Sequence, residues 1–271
     1  MRPPVSIILL NYNTRDLTLA SLARLAPAAS RQGWQLIVVD NASTDGSADG
    51  VATAFPTVTL LRLTENRGYA AGNNRGMEVA TGKAVILLNS DVLVGVAELQ
   101  ALADYLDANS EVAAVSAGLR TANDEAQAFA FGGDPSPLYL LRRGVGRLLH
   151  LPPQHNWAVA EPLAVDWVSG ACLCVRRKVI EQIGGLDEIF FLYFEDVDWC
   201  KRMREAGWQV VYNPLVQVVH LGGQSQPTRR EANRYYSQSL RYFYRKQYGR
   251  LWAAAISGAL AVYNRLVGSS G

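Results

Sequence analysis

The sequence has little of the chemistry that marks disulfide-rich or nucleic-acid-binding proteins. Its cysteines are too few and odd in number for a disulfide framework, and they give no paired CxxC spacing: Cys172, Cys174 and Cys200. The 26 basic and 24 acidic residues leave a formal net charge of +2, so nucleic acid is not an expected partner. The sparse cysteines favour a reducing compartment, and we expect a cytoplasmic protein.

Long apolar runs are also missing. A transmembrane helix needs roughly 18 to 20 apolar residues. The nearest candidate, residues 251–267, is interrupted by Asn264 and Arg265. The apolar run 5–10 near the N-terminus is too short for the core of a signal peptide. We therefore expect neither a membrane span nor an export signal.

What the sequence does contain is alternation of strand-like and helix-like segments. With 271 residues and 49% hydrophobic content, the chain is long enough for one large α/β domain with a helical appendix. Such alternation predicts a mostly parallel, Rossmann-like sheet flanked by helices. The predicted strand and helix pairs are 5–10 with 14–25, which ends near Pro27, then 35–39 with 47–55, 58–63 with 69–80, and 84–88 with 96–108.

Each of these four strands ends in polar residues. In parallel sheets, ligands bind beyond the carboxyl ends of the strands, so the four clusters are expected to line one edge. Asn, Asp, Ser and Gly are also ordinary turn residues, and for any single cluster that alternative stays open. The clusters are Asn11-Tyr12-Asn13, Asp40-Asn41, Glu65-Asn66-Arg67 and Asn89-Ser90-Asp91.

The second half of the chain is less regular. Glycine and proline punctuate residues 119–163, which predicts an irregular, mobile insertion that acts as a lid or faces the acceptor. Order returns with a strand or hairpin over 165–175 and a short helix over 177–183. An aromatic run then leads into Glu195-Asp196, which opens a helix to about Ala206. Two strands, 208–212 and 216–220, follow around a turn at Asn213-Pro214.

Seven blocks of the sequence, in order, resemble the family 2 glycosyltransferases of the GT-A fold, and in particular their rhamnosyltransferase-like branch. The resemblance spans about residues 5–225, with a gap over the irregular middle. It implies a GT-A domain over residues 1–226. The blocks are 6–13 (SIILLNYN), 37–47 (IVVDNASTDGS), 65–74 (ENRGYAAGNN), 84–91 (AVILLNSD), 168–171 (VSGA), 184–202 (GGLDEIFFLYFEDVDWCKR) and 220–225 (HLGGQS).

The resemblance implies an inverting transfer from a nucleoside diphosphate sugar to an acceptor hydroxyl. The donor expected from this branch is dTDP-rhamnose, and the acceptor is a glycan or lipid-linked glycan of a cell-surface polysaccharide. By position, Asp40 would read the pyrimidine base of the donor, and Arg67 would lie near its diphosphate. Three residues would line the base pocket beside Asp40: Asn11, Tyr12 and Asn13.

The resemblance also implies a divalent metal, Mg²⁺ or Mn²⁺. Asn89, Ser90 and Asp91 match the DxD-type motif, in which Asp91 would hold the metal and the group would contact the nucleotide. The family motif often begins with Asp where this chain has Asn89. Mg²⁺ prefers one or two carboxylates plus phosphate oxygens, which suits a single Asp91. In related enzymes the position of His220 completes the metal site, whereas a lone histidine there is by default structural.

Glu195-Asp196 matches the ED motif of the family, in which Asp196 would be the general base and Glu195 its catalytic neighbour. Without the resemblance, Asp196 is a carboxylate at a helix start, favoured by the helix dipole. Asp198 can pair with Arg202 at i, i+4, which favours a structural role. Two further predictions concern the sugar: Gly170 and Ala171 would let it approach the backbone, and Trp167 would stack on it or belong to the core.

The C-terminal segment, residues 227–271, is basic and aromatic. Between Arg229 and Arg250 the sequence has seven basic residues against one acidic residue, Glu231. We expect a basic aromatic helix followed by an apolar one. One interpretation places this pair at an anionic membrane surface, the inner face of the cell membrane, where a lipid-linked acceptor would be found. The other packs it on the catalytic domain or in a homodimer contact.

Two other functions compete with transfer. A sugar nucleotidyltransferase shares the fold and the metal, but its glycine-rich N-terminal loop is missing here. A non-catalytic nucleotide-sugar binding protein is the alternative from another class, and Asp91, Asp196 and His220 together argue against it. No GxGxxG follows the first strand, which argues against a dinucleotide-dependent oxidoreductase.

Overall fold

A central sheet of nine strands organises the part of the chain that the computed structural model describes, residues 4–140, 142, 149, 155–224 and 228–268, with the backbone alone for 260–268. The strands are β1 Val5–Asn11, β2 Gln35–Asp40, β3 Thr59–Arg62, β4 Ala84–Asn89, β5 Val92–Leu93, β6 Val112–Arg120, β7 Phe131–Gly132, β8 Leu163–Ala164, β9 Trp167–Val168, β10 Cys172–Arg176 and β11 Gln209–His220. The helices are α1 Arg15–Arg31, α2 Ser47–Ala54, α3 Gly68–Val79, α4 Val96–Ala108, α5 Arg177–Ile183, α6 Glu195–Glu205, α7 Arg229–Tyr248 and α8 Arg250–Gly268.

The sheet runs β3-β2-β1-β4-β10-β6-β11-β5, with β8 paired to β11. The first four strands are parallel, β10 is antiparallel to both of its neighbours, and β11 is parallel to β6. Ile7, Ile8 and Leu9 are completely buried, as expected for a strand that helices cover on both faces. The predicted mostly parallel sheet is confirmed.

The first helix is longer than the sequence predicts. It was expected to end near Pro27, but α1 continues to Arg31 with Pro27 inside it. Proline removes one backbone donor, but Leu25 and Ala29 are buried in the core on either side and hold the helix in place. Thr14 occupies the N-cap position without capping, because its hydroxyl donates to the Asn11 amide oxygen (2.7 Å).

Three features beyond the four βα units also differ from expectation. No strand was predicted over residues 112–118, yet β6 lies in the middle of the sheet. Of the strand or hairpin expected over 165–175, a strand forms as β10 but no hairpin does, because β9 pairs with β7 while β10 inserts between β4 and β6. The expected turn at Asn213-Pro214 is a bulge inside the continuous strand β11, between Asn213 and Gln217.

Part of the irregular segment 119–163 is described. It contains β7, and the Trp157 indole donates to the Phe131 carbonyl oxygen (3.1 Å). The pair Pro152-Pro153 and the expected boundary between residues 226 and 227 lie outside the described residues. A mobile insertion and the division into segments 1–226 and 227–271 therefore stay predictions.

Helix α7 packs on the sheet domain. Its residues Leu240, Phe243 and Tyr244 are buried and form one apolar cluster with Phe190 and Val197. The two predicted C-terminal helices are present, and for α7 the packing interpretation is confirmed. In the part of the chain with described placement, no helix is both long and apolar enough for a membrane span.

Candidate active site

A cleft of about 1500 Å³ opens at the edge of the sheet where β1, β4 and β11 end and β10 begins. Ten of the residues predicted from sequence line it. They are Tyr12, Asn89, Ser90, Asp91, Trp167, Gly170, Ala171, Glu195, Asp196 and His220. Residues distant in sequence therefore converge on one cavity, as the topology of the sheet requires.

Asp91 and His220 face each other across the end of the sheet. Asp91 follows β4, His220 is the last residue of β11, and the Asp91 Oδ1 atom lies 3.3 Å from His220 Nε2. The backbone holds the pair in place, because Leu221 N donates to the Asp91 carbonyl oxygen (3.0 Å). The other ring nitrogen, His220 Nδ1, lies 3.0 Å from Gln127 Oε1, which orients the imidazole.

Asp196 lies in the first turn of α6 and is tied to the chain that precedes β10. Its Oδ2 atom accepts a hydrogen bond from Gly170 N (3.1 Å), and Oδ1 accepts one from Val197 N (2.8 Å). Burial raises the pKa of Asp196, and these backbone donors oppose that rise because they favour the ionised form. The Gly170 carbonyl oxygen accepts a hydrogen bond from the Tyr69 hydroxyl (2.7 Å).

Glu195 is buried, and its Oε2 atom has no hydrogen-bond partner among the described residues. Burial raises the pKa of Glu195 well above its usual value, and the neighbouring Asp196 carboxylate adds to the rise. Just before it, Tyr193 and Phe194 adopt left-handed backbone conformations (φ 69° and 68°). Strained backbone of this kind persists where the surrounding structure enforces it, as at many functional sites.

The residues predicted to contact sugar also have structural roles. A Cβ atom at position 170 would lie 2.5 Å from the Tyr69 hydroxyl oxygen, so Gly170 is required by Tyr69. The Ala171 carbonyl oxygen accepts a hydrogen bond from Asn89 N (2.9 Å). Trp167 is half-buried between the core and the cleft, and its indole donates to the Gly133 carbonyl oxygen (3.0 Å).

Four predicted nucleotide-binding residues do not line the cleft. Asp40 is buried, with Oδ1 accepting from the Asn11 side chain (2.8 Å) and Oδ2 from Ser43 N (3.0 Å). Asn11 is also buried, with its amide oxygen bonded by Thr14 and Thr18. Asn13 accepts from Thr44 N (2.7 Å) outside the cavity.

The fourth of these residues is Arg67. Its guanidinium lies 3.8 Å from a carboxylate oxygen of Glu65 and 3.8 Å from one of Glu188, on the outer side of α3. These acidic partners compete with any phosphate for the same cation. In this arrangement Arg67 does not reach the cleft.

The cleft has walls that the sequence did not assign to a ligand. Asn41 and Asn66 line it beside Tyr12, joined by a hydrogen bond from Asn41 Nδ2 to Asn66 Oδ1 (2.9 Å). Both belong to the strand-end clusters that the sequence placed at this edge, but neither was given a role there. The cleft also has an aromatic wall. Three of its residues, Phe191, Tyr193 and Phe194, come from the aromatic run that precedes Glu195 in the sequence. No local motif placed the others at a site: Phe129, Phe131, Tyr139, Trp157, Tyr235 and Tyr236.

Comparison with known families decides the class. The model of glycosyl transferase family 2 matches residues 6–157, and that of glycosyl transferase family 21 matches residues 153–241. The chain belongs to glycosyl transferase family 2. It is therefore an enzyme that transfers a sugar from a donor to an acceptor. Membership of this family excludes the two functions that the sequence left open, a sugar nucleotidyltransferase and a non-catalytic nucleotide-sugar binding protein.

Curated relatives place this family 2 glycosyltransferase in the rhamnosyltransferase-like branch. It is 34% identical over 219 residues to the N-acetylglucosaminyl-diphospho-decaprenol L-rhamnosyltransferase of Mycobacterium tuberculosis, covering 73% of this chain and 70% of the relative. It is 27% identical over 225 residues to the low-salt glycan biosynthesis hexosyltransferase Agl10 of Haloferax volcanii, covering 81% of this chain and 68% of the relative.

Solved structures confirm the GT-A fold. A mannosyltransferase from Pyrobaculum calidifontis, in complex with GDP-Man and Mn²⁺, superposes with a TM-score of 0.60 at 24% identity, over 91% of this chain and 64% of that one. GalNAc-T7, with UDP, GalNAc and Mn²⁺, gives a TM-score of 0.60 at 14% identity, over 89% and 47%. This chain therefore spans less than two thirds of either solved chain.

Proposed function

We propose that this glycosyltransferase is an inverting, metal-dependent rhamnosyltransferase that uses dTDP-rhamnose and a lipid-linked glycan acceptor. The observation that carries the proposal is that Asp91, His220 and Asp196 line one cleft. The donor sugar and the acceptor class follow the printed name of the mycobacterial relative, whose activity is here extended to this chain as a proposal.

Asp91 and His220 fit a divalent cation. When His220 Nδ1 carries the ring proton and donates it to Gln127, the Nε2 atom is a hydrogen-bond acceptor. Nε2 then faces another acceptor, the Asp91 carboxylate, at 3.3 Å. A cation bound between them would remove the repulsion of these two acceptors. Mg²⁺ and Mn²⁺ are suited by two protein ligands, with diphosphate oxygens at the remaining coordination positions, better than by a site made of protein ligands alone. No cluster of three or more ligating side chains occurs among the described residues. When bound, the ion offsets negative charge on the leaving diphosphate.

Asp196 acts as the general base. It accepts the proton from the acceptor hydroxyl while that oxygen attacks the anomeric carbon and the bond to the diphosphate breaks, with inversion at that carbon. The Gly170 and Val197 amides hold the carboxylate in place. Burial, and then the neighbouring Asp196 carboxylate, raise the pKa of Glu195 and so oppose a second negative charge beside the base.

The nucleotide occupies the part of the cleft at the ends of β1 and β2. Tyr12 and Asn41, which line the cavity, contact the base directly. Asp40 and Asn11 lie beneath them and fix the loop that carries these residues, through the hydrogen bond from Asn11 to Asp40. Asn89 and Ser90 lie next to the diphosphate. Two other assignments have less structural support: Asn13 outside the cavity, and Arg67, which would have to leave Glu65 and Glu188 to reach the phosphates.

The acceptor enters from the side of Trp167, Gly170 and Ala171, opposite the nucleotide. Aromatic rings there offer faces for a pyranose, a common mode of sugar contact because the ring C–H groups pack on π-systems. A lipid-linked acceptor requires the enzyme to work at the cytoplasmic face of a membrane, which we include in the proposal. A homodimer, expected as an alternative use of the C-terminal helices, stays a prediction.

The test is a transfer assay with the full chain. We expect rhamnose to pass from dTDP-rhamnose to an N-acetylglucosaminyl-diphospho-prenol with a short prenyl chain, and GDP-mannose and UDP-glucose to serve poorly. Asp196→Asn should lower the rate by about 10² to 10⁴ while calorimetry shows nearly unchanged donor binding, because the base acts only in the chemical step. Asp16→Asn, an exposed aspartate on α1, is the matched control.

Three results would each contradict a part of the proposal. Normal turnover by Asp196→Asn would remove the base assignment. Full activity in excess EDTA would remove the role of Asp91 and His220 as metal ligands. Equal use of the three donors would leave a glycosyltransferase that is not selective for rhamnose.

A further inference from the structure

Helix α7 presents a stripe of arginines to solvent. Arg230, Arg234, Arg241 and Arg245 are all exposed, and at 100° per residue they fall within about 60° of the helix circumference. The buried residues of the same helix, centred on Leu240 and Phe243, lie roughly 140° away. The stripe therefore points away from the domain on which α7 packs.

In the described part of the chain, the arginines of this stripe form no ion pair. The hydrogen bonds from Thr228, and after them the charge of Arg234, lower the pKa of Glu231. Among residues with described placement, no carboxylate oxygen lies within 4.0 Å of any of the four guanidinium groups. Arg234 and Arg245 instead lie over the rings of Tyr235 and Tyr242, at 5.0 and 5.4 Å from the ring centroids. Four exposed cations held on one rigid helix form a site for an anionic partner.

The next helix, α8, adds an apolar face. Leu251 is 87% exposed and lies roughly opposite Ala253 and Ile256, which pack against the apolar cluster of α7. Trp252 is 48% exposed and lies at the flank, about 40° round the helix from Ile256. No charged residue occurs from 251 to 259. The inner sides of α7 and α8 both face the same apolar cluster. Their outer sides differ, because that of α7 is basic and that of α8 is apolar.

We propose that this surface, Arg230, Arg234, Arg241 and Arg245 together with Leu251 and Trp252, docks on an anionic lipid bilayer. Arginine pairs with lipid phosphates, and leucine and tryptophan insert at the level of the headgroups. A nucleic acid would use the arginines but leave the apolar residues in water. A second copy meeting this surface symmetrically would place like charges together.

Docking would bring the cleft to the membrane. The side of α7 that faces the domain contributes Tyr235, Tyr236 and Leu240 to the cleft wall. The helix that would bind the bilayer therefore also borders the side of the cleft proposed for the acceptor. This inference rests on the proposed function in one respect, the lipid-linked acceptor. The bilayer contact itself depends only on the charges and exposure of the surface.

Vesicle flotation of the full chain without any nucleotide sugar tests the surface. Wild type should float with phosphatidylcholine vesicles containing phosphatidylglycerol, and much less with phosphatidylcholine alone. Each basic residue near an anionic surface contributes roughly a fivefold factor. Changing all four stripe arginines to glutamine should therefore lower partitioning by at least about tenfold. Leu251→Gln with Trp252→Gln should lower it on both kinds of vesicle.

The matched control removes the same charge elsewhere. Arg24, Arg31, Lys83 and Lys178 are exposed on the catalytic domain, and their change to glutamine should leave flotation unchanged. Equal loss in both quadruple variants, absence of wild-type flotation, or binding of an RNA oligomer or a second copy in place of vesicles would overturn the proposal.

A transfer assay on a short-chain acceptor in detergent separates this proposal from the proposed function. The stripe residues lie outside the cleft, so their variant should keep wild-type transfer there. Transfer without flotation by wild type would refute the surface alone. Flotation without transfer would refute the rhamnosyltransferase alone.

Discussion

At the scale of single residues, the candidate base depends on the placement of Gly170. The Tyr69 hydroxyl donates to the Gly170 carbonyl oxygen, and Gly170 N donates to Asp196 Oδ2. The two bonds belong to the peptide groups on either side of the Gly170 Cα atom, so the tyrosine holds the glycine in the position from which its amide favours the ionised aspartate. Tyr69 is therefore a positioning residue that acts through Gly170.

Tyr69→Phe tests this role. Loss of one hydrogen bond of roughly 0.5 to 1.5 kcal/mol should lower kcat about two- to tenfold, with little change in donor KM. The acid limb of the kcat profile should move to higher pH, because Asp196 loses part of the support for its charged form. Tyr105→Phe on α4 controls for hydroxyl loss. An unchanged pH profile in Tyr69→Phe would refute the positioning role.

Glu195 couples the site to stability. Its pKa in the folded chain is raised, first by burial and then by Asp196, above the value of about 4.3 expected when unfolded. Below the unfolded pKa both states hold the proton and burial of the neutral acid has no ionic cost. As pH rises towards the folded pKa, the unfolded state releases its proton first, so stability falls.

Glu195→Gln should remove this dependence, since glutamine does not titrate. The melting temperature of the variant minus that of wild type should therefore grow as the pH rises above the unfolded value of about 4.3, by about 2 to 4 °C for each kcal/mol. Thermal denaturation at a series of pH values above that point measures it. Glu111→Gln, at an exposed position, is the control. A difference that is constant with pH would show that Glu195 carries no burial cost.

At the scale of elements, one buried aspartate joins α6 to α7. Asp198 is completely buried, and its carboxylate contacts Arg202 (3.0 Å), Lys246 (2.8 Å) and Gln247 (2.7 Å). The sequence predicted the Asp198–Arg202 pair from its i, i+4 spacing. It could not predict the α7 partners, because these lie 48 and 49 residues away and meet Asp198 only after α7 docks.

Asp198→Ala should therefore loosen α7. Removing one member of a buried charged network costs about 3 to 5 kcal/mol, and because Lys246 is partly exposed we expect the lower end. Hydrogen exchange of the α7 amides should accelerate more than that of β1. Asp49→Ala breaks the exposed pair with Arg62 and should cost less than about 1 kcal/mol. Equal losses of stability in the two variants would contradict the docking role.

The elements that the sequence missed share a cause. The four βα units follow from local patterns, because each strand has an apolar centre and each helix has its own periodicity. Strand β6 and the pairing of β10 depend on which strands meet in space, and the bulge in β11 depends on its neighbour β6. A local pattern at Asn213-Pro214 indicates a turn, but the parallel ladder with β6 keeps the chain extended.

At the scale of the whole molecule, residues from the first strand to α7 converge on one cleft. The rule that ligands bind beyond strand ends correctly placed Asp91, Asn89 and Tyr12 at the cavity. The same rule did not separate these residues from Asp40 and Asn13, which lie at strand ends but do not line the cavity. Neighbouring residues at a strand end point to opposite sides, and the rule does not say which side faces the ligand. Only the family resemblance singled out Asp196 and His220, because nothing in their local sequence marks them.

This cleft is expected to bind a cation-bound nucleoside diphosphate sugar beside Asp196. Anomalous diffraction from crystals of the full chain grown with Mn²⁺ and dTDP-rhamnose tests this. We predict a manganese peak within about 2.5 Å of both an Asp91 carboxylate oxygen and His220 Nε2, touching the diphosphate, with the rhamnose between the metal and Asp196. A nucleotide sugar bound with its anomeric carbon in a different cavity from Asp196, or manganese bound away from Asp91, would contradict it.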